Sequence, residues 1–356
     1  MTLLDRLLDP FRGEAVTIPP YDGAWKPNTQ LETAAQVAAL PEVDNLVEDS
    51  EGTIWLTGGP VLYRLEDEKA KPAETFAAPI TALSALPGGG LVVALADGGL
   101  ILRRDGASRD LRQAFPAAVS ATALLANDDG TLLVAQGSAS HAATEWVPAL
   151  MRKRRDGAVW RLDLAGGKAE RIADGLAFPT GLALDEAGAP VVAEAFAHRL
   201  VALGGGKPRT VLDRIPGYPG RLSPARAGGW WLPVFAPRNR LIELVLREDR
   251  FRADMIATVP QDYWIAPALR SGESFLEPLQ RGGVRTMGVR KPWAPARSYG
   301  LVARLDAAFR PLTSLHSRAD GQRHGAVSVL DLPQARLVAL KGAGEIVDIP
   351  SREAQP

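Results

Sequence analysis

The stretch GLAFPTGLALDEAGAPVVAEAFAHRLVAL, Gly175–Leu203, decides the fold. It reads as a short apolar strand, a tight turn at Asp185–Gly188, a second strand from Pro190 to Ala195, and a third through Arg199–Leu203. Three short strands joined by tight turns make one antiparallel meander, which is only marginally stable alone. The chain repeats it. PEVDNLVEDSEGTIWLTGGPVLYRL (Pro41–Leu65) and PITALSALPGGGLVVALADGGLILRRDG (Pro79–Gly106) follow the same order. A third copy, VSATALLANDDGTLLVAQGS (Val119–Ser138), has its last strand delayed to GAVWRLDL (Gly157–Leu164). After the Gly175 copy come YPGRLSPARAGGWWLPVFAPRNRLIEL (Tyr218–Leu244) and HGAVSVLDLPQARLVALKGAGEIVDI (His324–Ile349).

The connectors KPAETFA, ASRDLRQAF, KAERIADGL and KPRTVLDRI alternate well enough to be a fourth, outer strand of their units. Six four-stranded units arranged radially make an all-β chain, a six-bladed β-propeller. The sixth repeat ends at Ile349 without its own outer strand, so Leu31–Ala38 is expected to complete that blade and remove an open edge. The expected layout is one domain. Residues 1–40 form an N-terminal strap and the closing strand, and residues 41–350 form the propeller. A short helical insertion interrupts blade 3, and a lid at residues 245–298 interrupts blade 5.

Composition narrows the function classes. Lys+Arg and Asp+Glu both total 41, and this balance argues against bulk nucleic-acid or membrane-surface binding. The sequence has no Cys, so disulfide and thiol chemistry are excluded. MTLLDRLLDPFRG (Met1–Gly13) is amphipathic, interrupted by Asp5, Arg6 and Asp9, and is neither a signal peptide nor a membrane span. The expectation is a soluble, cytoplasmic protein acting on a small molecule, with no nucleic-acid or membrane partner.

Candidate site residues follow from their places in the repeats. Glu42 opens the first inner strand, where a carboxylate crowds the channel; it serves either as an acceptor for inward backbone N–H groups or as a metal ligand or base. His141 follows a strand end directly and can face the channel. Glu194 lies within the apolar VVAEAF, where an unpaired carboxylate is costly, so a partner such as Arg199 or Arg221 is expected. Thr180 begins the inner strand of the fourth repeat and Arg221 that of the fifth. Within and beside the lid, Tyr263, Trp264, Arg285, Arg290, Trp293, Arg297 and Tyr299 either line a pocket for flat or anionic ligands or pack the lid on its own rim. His324 precedes the sixth inner strand, with His316 upstream.

Pro41–Glu42, the GSASH…WVPALM segment, FPTG with Glu194, and IPGYPGRL with WWLPVF resemble the strictosidine synthase-like propellers. More broadly they resemble the gluconolactonase, senescence-marker and paraoxonase superfamily. The resemblance runs from about Pro41 to the C-terminus and implies an active site at one mouth of the channel. Calcium-dependent lactonases of this superfamily set a Glu with Asn or Asp residues around the axis, the oxygen ligands that a hard cation takes. Glu42 matches the Glu, but Thr180 stands for the family's Asn, Thr122 for its third-repeat equivalent, and Arg221 for another axial residue. Strictosidine synthase uses a Glu shortly after a His in the last blade. His324 matches that His, and Ala326 or Ser328 replaces the carboxylate.

The leading expectation is a metal-independent hydrolase of a lactone or related ester, with no cofactor. His324 or His141 acts as base, and Arg221, with Arg285 or Arg297, holds a carboxylate or developing oxyanion. The alternatives are a calcium-dependent lactonase using Glu42 with a reduced ligand set, a strictosidine synthase-like condensing or lyase enzyme, and a non-catalytic ligand-binding propeller.

Overall fold

The computed structural model describes residues 18–115, 120–204, 206–272, 274, 276–278 and 296–349, together with the backbone of a short ladder at 285–286 and 289–290. Six antiparallel sheets form the ring of a six-bladed β-propeller. Blades 1 to 4 are simple meanders whose innermost strands are Val43–Glu48, Ile80–Ala85, Ala121–Ala126 and Pro179–Leu184. Their outer strands fall within the predicted connectors, or begin a few residues before them, at Lys69–Thr75, Ala107–Asp110, Ala169–Leu176 and Arg209–Leu212. Middle strands such as Leu91–Leu95 and Pro190–Glu194 are buried along their whole length, because each blade is covered by a neighbour on both faces.

Ring closure follows the sequence reading. Ala35–Ala39 pairs antiparallel with Glu345–Asp348, so the sixth sheet takes its outer strand from the N-terminus. Arg323 ties that strand down. Its Nε donates to Glu345 at 3.0 Å, and its Nη1 donates to the carbonyls of Leu31, Glu32 and Ala34. Ahead of the closing strand, Tyr21 donates to Pro216 O and Asn28 to Ser314 O, laying residues 18–30 across blade 5 as a strap. Met1–Gly13 lies outside the described residues.

Blade 5 corrects the expected layout. The end of the repeat read as Tyr218–Leu244 is not strand: Asn239 caps, and Arg240–Leu244 opens, helix α2 (Arg240–Arg247). Asn239 caps this helix by accepting from Leu241 N at 2.9 Å, and Ile242 and Val245 bury one face at helical spacing. A second helix, α3 (Asp249–Thr258), follows. The true third and fourth strands are Leu301–Leu305 and Pro311–His316, so the insertion splits the blade between its second and third strands. The predicted insertion in blade 3 is helix α1 (Trp146–Met151), with Leu150 and Met151 buried.

The Arg323 contacts give a direct test of closure. Arg323→Met leaves Glu345 unpaired in a largely buried place and strands three carbonyls, which is expected to cost roughly 3 kcal/mol. Urea unfolding of the full chain measures it, and a loss below about 0.5 kcal/mol, the size of a surface substitution, contradicts this account.

Candidate functional site

Five of the six inner strands carry an irregularity at the same place. The register shifts between Val43 and Leu46, Ile80 and Ala82, Ala121 and Ala123, Pro179 and Gly181, and Ala326 and Ser328. A bulge re-aims the extra residue, and here it turns Asp44, Thr81, Thr122, Thr180 and Val327 toward the axis. All five line a cavity of about 330 Å³ at the channel mouth, with Arg221 from blade 5. Close approach at the axis requires glycine at Gly181, where a Cβ would lie 2.4 Å from Gly220 O.

Glu42 sits two residues ahead of the bulge position and also lines the cavity. Its φ is +56°, a left-handed conformation shared by Phe178 (+55°) and Gly325 (+71°) immediately before their own inner strands. A residue with a side chain is strained there.

The charged wall is built from three blades. Arg221 donates through Nη1 to Asp44 Oδ1 and through Nη2 to Thr81 O at 2.7 Å, and Lys341 Nζ donates to Asp44 Oδ2 at 2.6 Å. Burial works against the charge of Asp44, but Arg221 and Lys341 outweigh it and hold the carboxyl below its usual range. Arg221 Nε is buried with no hydrogen-bond partner among the described residues. The remaining axial hydroxyls donate to backbone: Thr122 to Pro179 O at 2.5 Å and Thr180 to Pro219 O at 2.7 Å. The rest of the lining is mainly apolar, with Ile80, Trp146, Phe178, Phe235, Leu269 and Val327.

These residues do not fit a divalent cation. Both Asp44 oxygens are held by cationic side chains, and the axial threonines direct their protons to carbonyls. Among the described residues, no group of three or more His, Cys, Asp or Glu is placed to hold a metal.

Of the sequence candidates, Glu42, Thr180 and Arg221 meet at this cavity. His141 is not among the lining residues; it lies two residues before Ala143, which lines the cavity. The others sit elsewhere. Glu194 is buried and accepts from Arg199 Nε at 2.6 Å and Ala177 N at 2.8 Å, so the expected pairing is made with Arg199. His324 is buried at the edge of blade 6: its Nε2 donates to Arg318 O at 2.7 Å and its Nδ1 accepts from Ser298 at 2.8 Å. Trp264 is core and donates to Val259 O. Tyr299 packs against His316, Arg297 donates to Asp262 O, and Tyr263 is exposed. For these lid residues the geometry favours packing on their own rim. The side chains of Arg285 and Arg290, and all of Trp293, lie outside the described residues.

Sequence reasoning missed Asp44 and Lys341. Aligning the repeats on their inner strands puts Asp44, not Glu42, level with Thr81, Thr122 and Thr180. Lys341 showed only as one cation in the turn after VAL.

No family model matches the sequence, and no curated protein matches it. The fold is similar to solved propellers. One is a calcium-binding protein, regucalcin, from Agrobacterium tumefaciens, with TM-score 0.55 and 12% identity over 89% of this chain and 93% of that one. Another is a gluconolactonase from Xanthomonas campestris, with TM-score 0.54 and 13% identity over 90% of this chain and 88% of that one. At these identities the likeness shows the propeller fold. Among the described residues no helix is long and apolar enough to cross a membrane.

Two predictions follow from local energetics. Glu42→Gly relieves the left-handed strain and is expected to raise the unfolding free energy by up to about 1 kcal/mol while removing a cavity carboxylate. Urea unfolding checks it, and destabilisation would contradict the strain. The second concerns acid. Burial pushes His198 down to about 4, with Arg238 adding to the effect, and burial alone pushes His316 down to about 4, so both stay neutral in the fold. Above pH 6.5 that stabilisation is fully present. It falls away as pH drops toward 4, by roughly 3 kcal/mol per histidine. In His198→Asn, which tolerates the local φ of +53°, the pH slope of the urea midpoint is expected to shrink; an unchanged slope rules this out.

Proposed function

We propose that the chain is a small-molecule hydrolase that opens a lactone or related ester at the channel mouth, with cationic side chains supplying the electrophile. The observation that carries this reading is the Arg221–Asp44–Lys341 cluster set against the wall of a mainly apolar cavity. An ester carbonyl gains most from fixed donors when its oxygen becomes anionic, and apolar surroundings strengthen that gain. Asp44 keeps both cations aimed. Arg221 and Lys341 also offer donors to an anionic group of a substrate, while Glu42 and Asp44 balance their charge across the lining. Two groups at the mouth can take the proton of the attacking water: the Glu42 carboxylate and the His141 imidazole.

The similar propeller from Xanthomonas campestris is a gluconolactonase, which agrees with this reaction class. A condensing reaction of the strictosidine synthase type is less well supported. His324 has both ring nitrogens hydrogen-bonded, to Ser298 and to Arg318 O, and Ala326 and Ser328 stand where that reaction calls for a carboxylate.

The test is hydrolysis of a panel of aliphatic, aromatic and carboxylate-bearing lactones and esters by the full chain, with and without chelator. Turnover is expected to survive chelation. Lys341→Met is expected to lower kcat/KM by about 100-fold, the scale of one lost oxyanion donor. Asp44→Asn/Arg221→Met removes opposite charges together, so the loss can be read in a chain that avoids a lone buried carboxylate. No turnover of any member, or turnover abolished by chelator, overturns the reading.

A further inference from the structure

On the loop that leads into the cavity-lining residues Ala143 and Thr144, one hydrogen-bond chain has its proton positions fixed by elimination. Asp156 accepts from Ser138 Oγ at 2.7 Å through Oδ1 and from Ser140 Oγ at 2.8 Å through Oδ2. Partial burial opposes its charge, but these two hydroxyls and nearby backbone N–H groups prevail and hold the carboxyl below its usual range. An ionised carboxylate only accepts, so the Ser140 proton is committed to Asp156. Ser140 Oγ also lies 3.1 Å from His141 Nδ1, where it now serves only as acceptor. Nδ1 therefore carries the hydrogen. A neutral imidazole has a single N–H, so Nε2 presents a bare lone pair. Nε2 has no hydrogen-bond partner among the described residues, and the ring is half-buried on the loop that continues into the cavity-lining Ala143, Thr144 and Trp146.

We propose that Asp156, acting through Ser140, fixes His141 as its Nδ1–H tautomer, and that Nε2 is the base that takes the proton of the attacking water. The catalytic part rests on the hydrolase reading above; the tautomer does not. In the step, a water O–H proton moves to Nε2 as the water oxygen forms a bond to the acyl carbon. The carbonyl π pair shifts onto the oxygen facing Arg221 and Lys341. Collapse breaks the acyl–alkoxy bond, and the departing alkoxide takes the proton from Nε2, leaving the acid product and neutral His141. Ser140 and Asp156 are positioning residues, because they act only through the imidazole.

The experiment is a long-range proton–nitrogen correlation on the full chain labelled with ¹⁵N-histidine, at alkaline pH. The sequence has four histidines, and His141→Gln identifies the relevant signals by their disappearance. Wild type is expected to show hydrogen on Nδ1. Ser140→Ala is expected to move it to Nε2, and Ser140→Thr, which keeps the hydroxyl, to retain the wild-type pattern. Hydrogen on Nε2 in wild type, or no change in Ser140→Ala, overturns the relay. On a lactone that the wild type hydrolyses, His141→Gln is expected to lower kcat by about 100-fold. Ser140→Ala is expected to lower kcat by about tenfold with KM held within about twofold. Full kcat in His141→Gln overturns the base assignment even if the tautomer is as stated. Absence of turnover in wild type sinks the hydrolase reading, while the nitrogen signals still decide the relay.

Discussion

The whole mouth of the channel depends on one buried carboxylate. Asp44 takes Lys341 on one oxygen and Arg221 on the other, and Arg221 reaches on to Thr81 O, so one cluster joins blades 1, 2, 5 and 6. A buried carboxylate without partners is costly, and removing one partner of such a pair is strongly destabilising. The cluster therefore holds its geometry whether or not a ligand is present. On the far side the hydroxyls continue the ring, Thr122 from blade 3 to blade 4 and Thr180 from blade 4 to blade 5. Ser84 accepts from Ala126 N and Ser328 from Leu46 N deeper in the channel. Side chains thus stitch neighbouring blades where the main chain alone leaves seams.

The fold was legible in the sequence because propeller blades are local. Each meander is encoded by its own turns, such as Asp185–Gly188 and Gly88–Gly90, and a repeat needs only comparison with itself. Even the closing strand could be inferred, since a sixth blade ending at Ile349 leaves an open edge. Blade 5 was misread where locality fails. RNRLIEL alternates well enough for a strand, but Asn239 supplies a cap and the run Ile242–Val245 supplies a helical face. The strands that complete the blade lie more than fifty residues further along the chain.

The site was less legible, because its parts come from different blades and no spacing in the chain records their meeting. Arg221 stood out as a cation in an axial position. Its partner was hidden by register: Glu42 drew attention as the family-like carboxylate, while the bulge turns the residue two places later into the channel. Lys341 comes from the second turn of the last blade and touches Asp44 from almost 300 positions away. His324 failed differently. The sequence puts it at an inner-strand start, as expected, but Ser298 from the returning lid and Arg318 O claim its ring.

The bulge explains how one scaffold can host unrelated chemistries. It presents one axial side chain from each of blades 1, 2, 3, 4 and 6, at a point where the strand has left its ladder, so the residue there can change without altering the pairing. Acidic and amide residues at these places would gather oxygen ligands for a hard cation. This chain sets Asp, three Thr and Val there, with Arg221 beside them, and brings in Lys341 from the adjoining turn. Positive charge reaches the mouth on covalently attached side chains, Arg221 and Lys341. Such charge is already oriented before a ligand arrives, which is what electrostatic stabilisation of a developing anion requires. Both cations come from blades 5 and 6, while the aromatic lining spans blades 3 to 5, with Trp146 packed edge-on against Phe235. The axial residues, rather than the propeller, are therefore where the function of this chain is written.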